Sequence, residues 1–289
     1  VPPEEQTLTD FEMHAPDLYD HAAVGVPLDS LSSIGEEEIA LYHSQGFLAV
    51  RNAFSAEEMT DAIEGWEALI RGDNPDFNGF DYEPNVKDRI ESLTLEEKRV
   101  SIRKLMFFVN FDPRLKAMSD HPALLNVVSR LIGGAPPRMF QDMALSKPPN
   151  FGREKPWHQD CSYFDIPANT PVVGVWIAMD EATLENGCMH MLGGRHQEGP
   201  IVHFQRRDWQ ICDDEVYKIR GETHPVVAVP LPPGGCLFFG GLTPHGTATN
   251  VSSQPRRALQ FHYYPEGTQR TSTEERLAVF GSEGKDVSC

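Results

Sequence analysis

The first clues are absences. No lysine or arginine precedes Arg51, and 25 basic against 43 acidic side chains leave a net charge of −18. Nucleic acid and anionic membrane surfaces both require a basic face, so neither is an expected partner, although a locally basic pocket stays compatible with the balance. Cysteine is scarce: Cys161, Cys188, Cys212, Cys236 and Cys289 are odd in number, scattered and without a CxxC pair. That argues against a disulfide framework or a cysteine zinc site and points to a reducing, cytoplasmic setting. No uninterrupted apolar run approaches a membrane span. The acidic N-terminus lacks the apolar stretch of a signal peptide. No internal repeat or low-complexity tract is visible.

What is present suggests one large domain. The chain has 289 residues, 40% of them apolar, enough for a sizeable core. Residues 1–33 read as an irregular acidic arm, loosely attached, with Phe11, Leu18 and Tyr19 available to pack on the body. From residue 34 the pattern sharpens. Glu36 to Gln45 reads as a helix with an acidic first turn, ended by Gly46 and followed by a strand at Phe47–Val50. Ser55 and Glu58 form a capping box for a helix to about Arg71. Gly72 to Val86 reads as a long loop carrying Phe77, Phe80 and Tyr82, a lid or mere surface irregularity. A helical turn near Leu93–Arg99, a strand over Ser101–Val109 and a helix over Pro122–Ile132 follow. Then come short apolar runs separated by Gly, Pro or Asn, from Met139–Ser146 to Ala258–Tyr264. Serial short strands after a helical start predict a mainly β fold, a double-stranded β-helix (a cupin-like jelly roll) with flanking N-terminal helices, over residues 34–289.

The chemistry centres on Trp157-His158-Gln159-Asp160. In an extended segment, side chains two apart share a face, so His158 and Asp160 can grip one ion. His245, in Thr243-Pro244-His245-Gly246, supplies a third ligand at a strand end, and Arg256 follows on the next strand. Two histidines and one carboxylate leave open positions opposite them, the donor set of non-haem Fe(II) oxygenases. A guanidinium nearby suits a cosubstrate ending in a carboxylate. Each piece alone has a plain reading: a chance H-x-D pair, a loop histidine, a solvated arginine, and Cys161 as a small apolar filler. Trp157, Tyr163 and Phe164 would give the site an aromatic, water-excluding wall, His190 and His196 could line a pocket, and His262 could face either way.

These residues, with Met143-Ala144-Leu145-Ser146-Lys147-Pro148-Pro149, Gly174-Val175-Trp176-Ile177-Ala178-Met179, Leu184-Glu185-Asn186-Gly187-Cys188 and Gly193-Gly194-Arg195-His196, resemble the phytanoyl-CoA dioxygenase family of Fe(II)/2-oxoglutarate oxygenases, its domain-containing proteins among them, over about residues 34–265. The resemblance implies iron on His158, Asp160 and His245, and 2-oxoglutarate paired with Arg256 and helped by Thr247. It implies a cosubstrate site lined by Trp176 and Met143, with Lys104 and Gln141 as further contacts. Dioxygen is the remaining reactant, and succinate and carbon dioxide the by-products. The carboxylate of Asp160 speaks for hydroxylation or a related oxidation rather than halogenation. Arg195 departs from the family pattern and would place a cation at the pocket mouth.

Two other classes stay open: a jelly-roll protein that binds metal and 2-oxoglutarate without turnover, and a zinc hydrolase on the same ligands, which has no use for Arg256. The substrate is expected to be a small molecule. Arg103, Arg195, Arg206 and Arg207 suit an anionic one if they face the cleft, against the commoner fate of surface salt bridging. The aromatic loop around Phe80, with Trp157, would equally suit an apolar one. The oligomeric state is not readable.

Overall fold

A computed structural model describes residues 12–150 and 152–281. In chain order the elements are β1 (Ala23–Val24), β2 (Leu28–Ser30), α1 (Glu36–Gln45), β3 (Phe47–Asn52), α2 (Ala56–Arg71), β4 (Phe80–Tyr82), α3 (Leu95–Ser101), β5 (Ile102–Met106), α4 (Pro113–Ser119), α5 (Pro122–Leu131) and β6 (Pro137–Lys147). They continue with β7 (Lys155–His158), β8 (Val173–Ala178), β9 (Met189–Leu192), β10 (His203–Gln205), β11 (Trp209–Ile211), α6 (Asp213–Ile219), β12 (Val226–Val229), β13 (Cys236–Gly240), β14 (His245–Thr247), β15 (Arg256–Pro265) and α7 (Thr273–Phe280).

The helices begin where the local chemistry says they should. Ser55 and Glu58 cap α2 reciprocally, Ser55 N donating to Glu58 Oε2 at 2.7 Å and Glu58 N to Ser55 Oγ at 3.2 Å. α1 ends at Gly46, whose φ of 91° is left-handed. That turn does more than stop a helix. The carbonyl of Gly46 accepts from Gly240 N at 2.9 Å and Thr243 Oγ1 at 2.8 Å, so the end of α1 fixes the loop that delivers His245.

An eight-stranded sheet, ordered β2-β3-β13-β8-β15-β6-β5-β4, faces a five-stranded one, ordered β1-β12-β9-β14-β7. Alternation along each strand divides the core. Phe47, Trp176, Leu237, Phe239 and Ala258 face the smaller sheet's Met189, Met191 and Ala228. Leu48, Val175, Ile177, Phe238 and Leu259 face outward onto Trp66 and Leu69 of α2, Leu115 of α4 and Leu124 of α5. This is the expected jelly roll with a helical layer. Phe238 is fully buried in that outer layer, so Phe238→Ala should cost about 3–5 kcal/mol.

Several expectations are corrected. From residue 12 onward the arm is ordered on the body: β1 runs parallel to β12, β2 parallel to β3, and Leu18 and Tyr19 pack as expected, Tyr19 stacking on Trp157 at 5.7 Å. Phe11 lies outside the described residues. The segment read as a long loop is anchored: Phe77 is buried against Phe111, and Phe80–Tyr82 is an edge strand paired with β5. The strand expected to reach Val109 stops at Met106, because Phe107 turns left-handed at φ 58° and the Asp142 carboxylate accepts from Phe108 N and Val109 N. Cys161, Cys188 and Cys236 are free and buried, but Cys212 is disulfide-bonded, which departs from a strictly reducing setting. Among the described residues no helix is long and apolar enough to cross a membrane.

Candidate metal centre and cosubstrate cavity

β7 ends at His158, and Asp160 opens a short 3-10 turn. Gln159 between them stays extended (φ −111°, ψ 131°), so both neighbours keep to one face. His245 opens β14 and sits opposite His158 in the ladder, their rings 4.2 Å apart. One ligand atom from each of His158, Asp160 and His245 lies within 4.8 Å of the others, and all three residues are buried.

The tautomers follow from the backbone. His158 Nδ1 lies 2.7 Å from the Pro156 carbonyl and His245 Nδ1 lies 2.9 Å from the Thr243 carbonyl. A carbonyl only accepts, so each Nδ1 carries the proton and each Nε2 turns a bare lone pair toward Asp160 Oδ1, at 3.4 and 3.7 Å. Burial, then the neighbouring His158, pushes His245 down to about 3, which keeps it neutral. A buried carboxylate facing two neutral nitrogens is an incomplete charge arrangement, and a divalent cation at their common point completes it.

The surroundings hold the ligands. Asp160 Oδ2 lies 2.8 Å from Nε2 of His262, a fully buried ring packed edge-on against Phe164. Only Oδ1 is therefore turned toward the histidines. Gln159 faces away and braces the turn, its amide donating to the Leu242 carbonyl at 2.7 Å and accepting from Ile201 N at 2.7 Å. Its backbone N–H donates to His203 Nε2 at 2.9 Å.

The site opens on a cavity of about 250 Å³ between the sheets. Arg256, first residue of β15, reaches into it and is 2% exposed. Its Nε and Nη1 have no hydrogen-bond partner, and among the described residues no carboxylate pairs with it. Its guanidinium lies 5.4 Å from the Trp176 ring. Burial pushes it down to about 10, so it stays charged at neutral pH. An unpaired buried guanidinium costs free energy unless an anion meets it, and a ligand carboxylate fits its fork geometry.

The family model for phytanoyl-CoA dioxygenase matches residues 42–258. The chain belongs to that family. It is thereby an Fe(II)- and 2-oxoglutarate-dependent dioxygenase, with dioxygen as co-reactant, and the donor set and the unpaired Arg256 suit that cofactor pair. Among its family relatives, a probable phytanoyl-CoA dioxygenase of Caenorhabditis elegans is 24% identical, covering 86% of this chain and 84% of the relative. A phytanoyl-CoA dioxygenase domain-containing protein 1 homolog of the same organism is 27% identical, covering 68% and 70%. Among solved structures, the epimerase SnoN with Fe3+, alpha ketoglutarate and nogalamycin RO aligns with a TM-score of 0.64 at 19% identity, over 82% of this chain and 86% of that one. EctD from S. alaskensis with 2-oxoglutarate and 5-hydroxyectoine aligns at 0.63 and 18% identity, over 90% and 84%. Identities this low carry the fold alone.

Every cosubstrate residue expected from the family resemblance lines the cavity: Arg256, Thr247, Trp176, Met143, Gln141 and Lys104. Gln141 Oε1 and Trp176 Nε1 are buried there without partners, Thr247 Oγ1 accepts from Lys155 N at 3.3 Å, and Lys104 lies 3.6 Å from Asp81. Other expectations fail. Trp157 turns its ring to the opposite side, against Tyr19 and Leu192, although Tyr163 and Phe164 do line the cavity. Arg195 pairs with Glu198 instead of reaching the mouth. His190 packs on Tyr19, and His196 bonds to the His43 carbonyl. Arg206 pairs with Glu12, and Arg207 with Glu154 and Asp213, leaving Arg103 as the one of the four cations that faces the cavity. Cys161 is a filler packed beside Phe164 and Val172. Lys147 and Asp208 line the cavity unanticipated. Sequence reasoning also missed the role of His262 at Asp160, which a count of two along β15 from Arg256 finds.

Proposed function

We propose that this dioxygenase oxidises a small molecule, by hydroxylation or a related oxidation, with release of succinate and carbon dioxide. In this reading His158, Asp160 and His245 hold the iron, and Arg256 holds the distal carboxylate of 2-oxoglutarate with the Thr247 hydroxyl beside it. The bound iron, with 2-oxoglutarate and dioxygen, supplies the oxidising chemistry. The chain's own groups position and shield. The Pro156 and Thr243 carbonyls fix the ligand rings, and His262 takes the second oxygen of Asp160. Tyr163 and Phe164 wall off the metal side from water, while Trp176, Met143, Gln141 and Lys104 border the cosubstrate.

The observation that carries the proposal is Arg256: buried, charged and without a carboxylate of its own, on the same cavity as the triad. The test is succinate formation from 2-oxoglutarate with Fe(II) and a panel of small molecules. Activity should vanish in His158→Ala and fall steeply in Arg256→Ala. Undiminished activity in either variant would end the proposal, and 2-oxoglutarate binding without consumption would leave only a binding protein. We treat residues 34–289 as one oxygenase domain with the arm packed on it. A cytoplasmic setting is proposed on the free thiols of Cys161, Cys188 and Cys236. The bonded Cys212 counts against it, and cell fractionation decides.

A further inference from the structure

The cavity has a second charged wall that neither the metal nor 2-oxoglutarate explains. Arg103 on β5 and Lys155 on β7 come together on a single carboxylate oxygen, Oδ2 of Asp208, at 3.1 and 2.8 Å. Asp208 lies in the turn of the β10–β11 hairpin, and its other oxygen accepts from Trp209 N at 2.8 Å. One negative charge thus serves two positive ones, and Arg103 and Lys155 remain 26% and 32% exposed. Lys104 and Arg153 line the same cavity. The opposing acids are Glu83, where burial pushes the carboxyl up toward its neutral form, and Glu154, which Arg207 already pairs, while Lys104 lies 3.6 Å from Asp81. Burial pushes the Lys155 ammonium down, and Arg103 and Lys104 push it further against the pull of Asp208. A concentration of cations in a chain of net charge −18 is an electrostatic trap for anions.

The trap adjoins the metal centre. Lys155 Nζ donates to Tyr163 Oη at 2.8 Å, and Tyr163 in turn donates to the Trp209 carbonyl at 2.6 Å. The Tyr163 ring stands edge-on to the ring of His158, centroids 5.7 Å apart. One aromatic ring therefore separates the cationic pair from a metal ligand.

We propose that the substrate is a small oxyanion, a carboxylate or a phosphate-type group on a compact carbon frame, received by Arg103 and Lys155, with Asp208 as the internal counter-ion that occupies the pair until it arrives. The proposal rests on the dioxygenase reading and names its substrate class. Substrate exchange takes the form of a shared or displaced ion pair, and no covalent step is added.

The test is calorimetric titration, without oxygen, of the enzyme loaded with Fe(II) and 2-oxoglutarate. The probes are inorganic phosphate, 3-phenylpropanoate and the uncharged 3-phenylpropanamide. At least one oxyanion should bind saturably and the amide should not, the stronger probe separating phosphate from carboxylate as the preferred group. Arg103→Gln should weaken that binding about tenfold, the scale of one lost charged hydrogen bond, and Arg103→Lys should restore most of it. Asp208→Asn should tighten it several-fold, a gain that misfolding cannot produce. Equal binding of the amide, no binding of either oxyanion, or an unchanged affinity in both Arg103→Gln and Asp208→Asn overturns the inference. Loading itself separates the two readings. If 2-oxoglutarate does not bind, the dioxygenase reading fails; if it binds while the oxyanions are ignored, only the substrate class fails.

Discussion

Replacing Arg256 with methionine should make the empty protein more stable and the liganded protein less so. The guanidinium is fully enclosed, and burial takes its pKa down from the ordinary arginine range to about 10. Each pKa unit is about 1.4 kcal/mol, so the charged form bears about 3 kcal/mol of unfavourable burial. The sign follows from linkage. The folded pKa lies below the unfolded one, so the penalty is fully present at neutral pH and is relieved only as pH rises through about 10. Methionine removes it and keeps most of the contact with Trp176, for a net gain of about 1–2 kcal/mol. In a chain of this size that raises Tm by about 2–5 °C. With 2-oxoglutarate the order reverses. The variant loses a charge-assisted, two-pronged contact, so its affinity should fall at least about 100-fold. At 2-oxoglutarate near 100 times its Kd, the parent gains about 2.7 kcal/mol that the variant lacks. Differential scanning fluorimetry with and without 2-oxoglutarate, alongside anaerobic calorimetry, reads both effects. A variant that melts lower when empty and binds 2-oxoglutarate within threefold of the parent refutes the reasoning.

Three further predictions concern the scaffold. His262→Phe removes the partner of Asp160 Oδ2, so Fe(II) affinity should drop about 10- to 100-fold, read by metal titration rather than turnover; unchanged metal affinity argues that Asp160 is held by other means. Lys147 Nζ bonds the carbonyls of Arg153, Thr247 and Ala248, tying the segment before β7 to the end of β14. Lys147→Met should cost about 2–4 kcal/mol in urea denaturation, because those buried acceptors lose their donor, and a neutral result shows that they find others. Burial pushes His203 down to about 3, so its neutral form stabilises the fold above pH 6.5, and that contribution is lost as pH falls toward 3. Unfolding midpoints should decline across that window, and less so in His203→Gln; parallel declines in both proteins rule His203 out.

The sequence was most legible where chemistry and periodicity coincide. His158, Asp160, His245 and Arg256 fall on short extended stretches whose ends are marked by Gly or Pro, and all four reach one cavity. The same period-two rule, applied more widely, had further content. It sends Trp157 away from His158 and brings His262 to the side of Arg256, neither of which was drawn from it. The cationic wall is a different matter. Arg103, Lys155 and Asp208 come from β5, β7 and the β10–β11 turn, and only the pairing of distant strands unites them. The arm misled because β1 and β2 are two and three residues long, too short to register as alternation, and hold by pairing with strands already in place.

His158 and His245 are opposite rungs of one hydrogen-bonded ladder, so backbone pairing, rather than the ion, sets their spacing. A chelator should thus strip the protein without melting this corner of it, leaving a mould that recharges on contact with ferrous salt. Recovery after dialysis should be quick and complete.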